Sequence, residues 1–181
     1  MADSAALNTG AEAVETALKL ARKWAYKAKG VPKDEALVFS VADHFHGRTR
    51  KFLRLVERRQ PPSSARLSRA RRGQALCKKH NVLFICDEIQ TGIGRTGRKL
   101  CSQWANIKPD IVTLGKAISG GLYPVNCVMS SKEILLVDEP GTHGSTYGRN
   151  PLSCAASIRA LEIIEEEDLT AKAERLGHVF R

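Results

Sequence analysis

Val82-Leu-Phe-Ile-Cys-Asp-Glu88 and Ile111-Val-Thr-Leu-Gly-Lys116 decide the fold. Each is a run of four or five apolar or β-branched residues, too short for a helix, and each reads as a strand buried on both faces of a sheet. The first stops at two acids, and the second stops at a glycine and a lysine. Asp87 and Lys116 therefore both sit just past a strand, at the edge where open α/β sheets place their chemistry. Outward from these runs, Val125-Asn-Cys-Val-Met129 predicts a third strand and Ala36-Leu-Val-Phe-Ser-Val41 a fourth, also buried. Ala13, Val14, Ala17, Leu18, Ala21, Trp24 and Ala25 recur at helical spacing opposite Glu12, Glu15, Lys19, Arg22 and Lys23, so an amphipathic helix follows Asn8-Thr9-Gly10 and stops at Gly30 and Pro32. A helix end is expected at Ala75 to His80, and a long helix from about Leu152 to Glu166. Strands alternating with helices predict an α/β fold, a mostly parallel sheet with flanking helices.

Composition is consistent with a folded chain. Of 181 residues, 43% are apolar and 27% charged, which excludes wholesale disorder and collagen-like structure. No uncharged apolar run approaches the roughly 18–20 residues of a membrane helix. Met1 to Leu7 lacks the blocks of a secretion signal, so the cytoplasm is the default compartment. Cys77, Cys86, Cys101, Cys127 and Cys154 are odd in number and widely spaced, which reads as reduced core thiols. His44-Phe-His46 has no second ligand pair at a useful spacing, so no metal is expected.

The net charge of +10 is concentrated in one place. Between Arg50 and Arg72 stand nine basic residues against one acid, Glu57, and the rest of the chain is nearly neutral. Pro61-Pro62-Ser63-Ser64 interrupts any helix there, and Leu67 is the one sizeable apolar residue beyond it. Residues 50–73 read as an arginine-rich linker or arm. As a nucleic-acid anchor the segment is disfavoured, because it lacks interleaved aromatic residues.

Four features suggest a site. Asn8-Thr9-Gly10-Ala11 opens a helix and offers free backbone N–H groups, a hydroxyl and a positive dipole end, which suit a phosphate; an ordinary N-cap is the alternative. Gly115, Gly120 and Gly121 around Lys116 allow a flat ligand to approach, and desolvation there can make the amine nucleophilic. From the spacing alone, Asp87 with Lys116 reads first as a salt bridge at the sheet edge and second as a carboxylate and an amine placed for chemistry. His143-Gly-Ser-Thr-Tyr-Gly148 is a second glycine-flanked hydroxyl pair.

In this order, the segments Asn8 to Lys19, Phe45-His-Gly-Arg-Thr49, Leu83 to Gly97 with its Asp-Glu-Ile-Gln, Pro109 to Lys116 and His143 to Gly148 resemble the class III branch of the fold type I aminotransferases, and within it the ornithine-type enzymes. The resemblance implies a partial large domain of the pyridoxal 5'-phosphate (PLP)-dependent transferase fold, carried by residues 1–49 and 74–160, with 161–181 as the start of a small C-terminal domain. It implies that Lys116 carries the cofactor and moves a proton, and that Asp87 pairs with the ring nitrogen. Gln90 would bond the ring hydroxyl and Phe45 would stack on the ring. Thr9, Gly10 and Ala11 would hold the phosphate, Ser145 and Thr146 would reach a neighbouring subunit's cofactor, and Arg48 would meet a substrate carboxylate. The implied reaction moves the δ-amino group of ornithine to 2-oxoglutarate, giving glutamate semialdehyde and glutamate, in a homodimer.

The chain departs from that family in four places. Where the family has a longer stretch with a central strand, this chain has the basic segment 50–73, and the family's chains extend past both ends. Arg149 stands where the family has a glycine. Two alternatives follow: an inactive fragment that pairs with a full-length subunit, and a class III enzyme acting on acetylornithine or 4-aminobutyrate. The mitochondrial matrix is the alternative compartment.

Overall fold

The computed structural model describes residues 2–41, 45–47, 49 and 65–180, with the side chains of 2–4 and 65–67 left out. Its elements are β1 (Ala2–Leu7), α1 (Gly10–Lys27), α2 (Ala65–Lys79), β2 (Ile85–Asp87), β3 (Ile111–Leu114), β4 (Asn126–Ser131), α3 (Lys132–Leu135), α4 (Pro151–Glu166) and α5 (Leu169–Val179). Two 3-10 turns, Cys101–Ala105 and Lys116–Ser119, stand between strands.

Four strands form one sheet in the order β1-β4-β3-β2. The α/β class holds, but the sheet is mixed rather than mostly parallel. Only β2 and β3 run parallel, with Asp87 level with Thr113, while β3 with β4 and β1 with β4 are antiparallel. The reason lies in the link from Leu114 to Asn126, which contains one 3-10 turn and is too short for the crossover that a parallel neighbour needs.

β1 is invisible in the sequence pattern. Ala2-Asp-Ser-Ala-Ala-Leu7 has no β-branched or aromatic residue, and its pairing, Ala2 with Ser131 through Leu7 with Asn126, comes from the partner strand rather than from its own propensity.

Two further expectations are corrected. Ala36–Val41 is not a strand and is not buried: Leu37 is 77% exposed and Phe39 81%. A run of this kind is buried only when another strand covers it, and among the described residues the sheet ends at β2. The arginine-rich segment is not all linker either, since α2 starts at Ala65, beyond Pro61-Pro62, and runs unbroken through Gly73. One of its arginines is tied down, with Arg71 Nε donating to the Ala105 carbonyl at 2.6 Å. The boundary placed between residues 160 and 161 falls inside the continuous helix α4.

α1 lies across the sheet. Ala13, Ala17 and Leu20 pack with Leu7, Ile111, Val128 and Ile134, with Trp24, Leu83 and Ile85 half-buried around them. Because alternate strand residues face opposite ways, Val112, Leu114, Cys127 and Val125 build a second cluster with Ile118 on the other face. α4 begins at Asn150, whose Oδ1 accepts from Ser153 N at 2.9 Å, with Pro151 in the first turn as the helix start favours. Its Leu152 and Ile158 are exposed, as are Leu176 and Val179 of α5. Among the described residues no helix is long and apolar enough to cross a membrane, and no group of His, Cys, Asp or Glu side chains is arranged for a metal ion.

All five cysteines are free thiols, but of the five only Cys127 is buried in the core; Cys77, Cys86 and Cys101 are half-buried and Cys154 is exposed. Burial pushes the Cys86 thiol from its ordinary 9.0 up to about 12, with Glu88, Cys101 and Asp87 adding to the effect, and burial pushes Cys127 up to about 11. The folded chain therefore holds these protons at a pH where the unfolded chain releases them. Their contribution to stability is complete below about pH 9 and declines as the pH rises from there toward 11–12. Urea midpoints at about pH 8 and pH 10.5 are expected to fall with pH, and to fall less steeply in Cys86→Ala/Cys127→Ala.

Candidate functional site

β2 and β3 end side by side because they are parallel and in register, and this brings the two predicted catalytic residues to one sheet edge. Asp87 closes β2, with its side chain 16% exposed. Its Oδ1 accepts from Thr113 Oγ1 at 3.0 Å across the strand pair and from Ile89 N at 3.1 Å. Its Oδ2 accepts from His46 Nδ1 at 2.5 Å, which assigns the imidazole proton to Nδ1, since a carboxylate only accepts. A carboxylate offers about four acceptor positions, so these three bonds leave about one for a ligand.

The neighbouring acid does different work. Glu88 is buried and accepts from Cys101 N and Ser102 N, both at 2.7 Å, and from Thr91 Oγ1 at 2.9 Å. It pins the 3-10 turn at Cys101–Ala105 to the end of β2, while Asp87 is left to face the site.

Lys116 opens the second 3-10 turn. It is exposed and has φ +47, a left-handed conformation that costs a non-glycine residue about 1–2 kcal/mol. Such a conformation persists only when the surroundings over-determine it. Gly115 before it has extended backbone, which any residue adopts, yet no side chain fits there: a Cβ would stand 1.7 Å from Asn126 Oδ1 and 3.2 Å from Ile89 Cγ2. Gly10 at the start of α1 meets the same two neighbours, with a Cβ falling 3.2 Å from Ile89 Cδ1 and 3.6 Å from Asn126 Oδ1. The lysine turn, the acidic strand end and the helix start thus converge on Ile89 and Asn126.

The start of α1 is a capping box. Thr9 Oγ1 accepts from Glu12 N at 3.2 Å, and Glu12 Oε2 accepts from Thr9 N and Asn8 N at 2.9 and 3.0 Å. A helix leaves its first N–H groups without an intrahelical acceptor, and the cap takes up that of Glu12, leaving those of Gly10 and Ala11 for an anion. Thr9 is thereby a cap first. Thr9→Ala is expected to lower stability by about 1 kcal/mol, measured by urea unfolding.

The other predicted residues are placed less uniformly. Phe45 and Gln90 are exposed, and the Phe45–Gly47 segment reaches α1, where a Cβ on Gly47 would lie 3.1 Å from Ala11 Cβ. Arg48 lies outside the described residues. Ser145 Oγ accepts from Asn8 Nδ2 at 3.0 Å, which sets Ser145 beside the phosphate turn of its own chain, and Thr146 is exposed. Arg149 has φ +61, the region that favours glycine. Sequence reasoning missed four contributors. Thr113 was signalled as the one polar residue in its strand, His46 as a histidine beside a glycine, and Glu88 as half of an acidic pair. Asn126 was signalled as the polar residue at the head of an apolar strand.

These residues fit an anionic aromatic aldehyde such as PLP. The fit rests on the donor set: open N–H groups at Gly10 and Ala11 for a phosphate, a carboxylate with an acceptor position left, and an accessible amine at Lys116.

The chain is similar in sequence and fold to known proteins. The model of the class III aminotransferases matches residues 3–65 and 60–181. An ornithine aminotransferase of Emericella nidulans is 44% identical over 97% of this chain and 50% of its own length, and ornithine aminotransferase car2 of Schizosaccharomyces pombe is 45% identical over 97% and 52%. The chain spans about half the length of these relatives. The alignment with the Emericella protein covers 229 residues against a chain of 181, so the relative has internal residues that this chain lacks. The family match breaks at residues 60–65, inside the basic segment. Among solved structures, ornithine aminotransferase of Toxoplasma gondii ME49 superposes with a TM-score of 0.85 at 37% identity, covering 98% of this chain and 53% of that one. The Plasmodium yoelii ornithine aminotransferase gives 0.80 at 42%, covering 98% and 51%. Another Toxoplasma gondii structure is described with PLP at partial occupancy in its active site.

Proposed function

Because this chain belongs to the class III aminotransferase family, we propose that it binds PLP at Lys116 and that its amino donor is ornithine, with 2-oxoglutarate as acceptor and glutamate semialdehyde and glutamate as products. The observation that carries the reading is the placement of Asp87 and Lys116 on one sheet edge beside the open N-terminus of α1. PLP, when bound, supplies an electron sink that stabilises negative charge on the carbon bearing the amino group.

The chain's own residues supply the rest. Gly10 and Ala11 hold the phosphate through backbone N–H groups at the positive end of α1. Asp87, anchored by Thr113, the backbone of Ile89 and His46, presents a carboxylate that favours a protonated ring nitrogen. Lys116 Nζ would hold the cofactor through its aldehyde carbon and, once displaced by the incoming amino donor, its free amine would move a proton from the carbon bearing the donor's amino group to the cofactor. Gln90 and Phe45 serve the ring, Arg48 serves a substrate carboxylate, and Thr146 serves a phosphate across a dimer, while Ser145, which accepts from Asn8 Nδ2, supports the phosphate turn of its own chain. The 40–45% identity to ornithine aminotransferases supports this substrate over acetylornithine or 4-aminobutyrate.

A second reading is an inactive fragment that pairs with a full-length subunit. It is favoured by the sheet ending at β2, by the uncovered Leu37 and Phe39, and by the relatives' additional internal residues. Absorbance spectra with PLP, for the chain and for Lys116→Ala, separate the two. A lysine-dependent visible band whose decay is driven by ornithine, and not by acetylornithine or 4-aminobutyrate, is expected. A folded chain with no such band that elutes together with a full-length ornithine aminotransferase supports the second reading instead.

A further inference from the structure

Asn126 heads β4 and is buried, with only 6% of its surface exposed. Its Nδ2 donates to the Asn8 carbonyl at 3.1 Å, which fixes the orientation of the amide, because a carbonyl accepts only from the nitrogen end. Its Oδ1 is buried and has no hydrogen-bond partner among the described residues. That oxygen instead presses on Gly115, where no Cβ could stand, and comes close to Gly10. One side chain thus touches both turns of the proposed site, the one that presents Lys116 and the one that opens α1. A buried amide oxygen without a donor is unfavourable, so the contact is not explained by its own hydrogen bonding. It is explained by what the contact holds: Lys116 has φ +47, and Gly115 immediately before it is wedged by Asn126.

Resting on the PLP reading above, we infer that Asn126 is a positioning residue that sets the spacing between the Lys116 amine and the N–H groups of Gly10 and Ala11. A ligand gripped at both places depends on that spacing, and a ligand gripped at one does not. Misplacing two groups by about 1 Å weakens a two-point interaction by up to about 100-fold.

The test compares PLP with pyridoxal, which has the aldehyde and ring but no phosphate. Both are titrated into the full chain and into Asn126→Ser, following the Lys116-dependent absorbance. The inference expects Asn126→Ser to weaken PLP binding about 10–100-fold and to leave pyridoxal within about twofold. Equal weakening of both ligands, the signature of a merely structural role, overturns it, as does no change in either. If Asn126→Ser does not fold, Asn126→Ala, which also removes the oxygen wedged against Gly115 and adds no charge, is expected to give the same asymmetry. A wild-type chain with no Lys116-dependent PLP band overturns the functional reading and this inference together. A wild-type band with symmetric losses overturns the inference alone.

Discussion

Glu88→Ala is expected to lower the stability of the folded chain by about 3 kcal/mol or more, the largest loss anticipated for any polar substitution here. The carboxylate is buried and holds two backbone N–H groups at 2.7 Å and a hydroxyl at 2.9 Å. Removing it leaves the Cys101 and Ser102 amides without their acceptor, at about 1–3 kcal/mol for each buried group. Glu88→Gln keeps one carbonyl oxygen and is expected to lose roughly half as much. Urea unfolding followed by circular dichroism checks both, and a Glu88→Ala midpoint indistinguishable from wild type would mean that this carboxylate does not pin the 3-10 turn.

Gly115→Ala is expected to cost about 3 kcal/mol, the upper end for added bulk in a packed region, and to remove the PLP band. Its Cβ would stand 1.7 Å from Asn126 Oδ1, so either the strand head or the lysine turn must move. Asn126→Ala frees that space, so the double variant is expected to recover most of the stability lost by Gly115→Ala alone. The four urea midpoints form a cycle with a coupling of about 1–3 kcal/mol. Additive losses would place the clash elsewhere.

The parts of the fold that were legible in the sequence are those where one face or both must be apolar. Ile111–Leu114 is buried throughout, and the stripe of Ala13, Ala17 and Leu20 in α1 fills the space under the sheet, so pattern and packing agree. Ala36–Val41 has the same pattern and no cover, because a strand is defined by its neighbours as well as by its own residues. β1 is the converse, a strand with no pattern of its own that pairs along all of β4. The direction of β4 was hidden for a related reason, since β propensity carries no sense of direction and the short link from β3 decides it.

The position of Asp87 and Lys116 at one sheet edge was legible because each follows an apolar run. Thr9 and Gly10 were readable because caps have a short-range signature. His46, Thr113 and Asn126 were not, because their roles come from contacts across the chain: His46 to Asp87, Thr113 to Asp87 and Asn126 to Asn8. Arg149, placed at φ +61 where the resemblance expects glycine, is a departure that the sequence did signal.

The central claim is that Lys116 is the residue that takes up PLP. The most direct measurement is to treat the folded chain with PLP, reduce it with borohydride, digest it and locate the pyridoxyl group by mass spectrometry. The account predicts the group on the peptide that contains Lys116 and its loss in Lys116→Ala; a label on other lysines only, or no label on a folded chain, contradicts it.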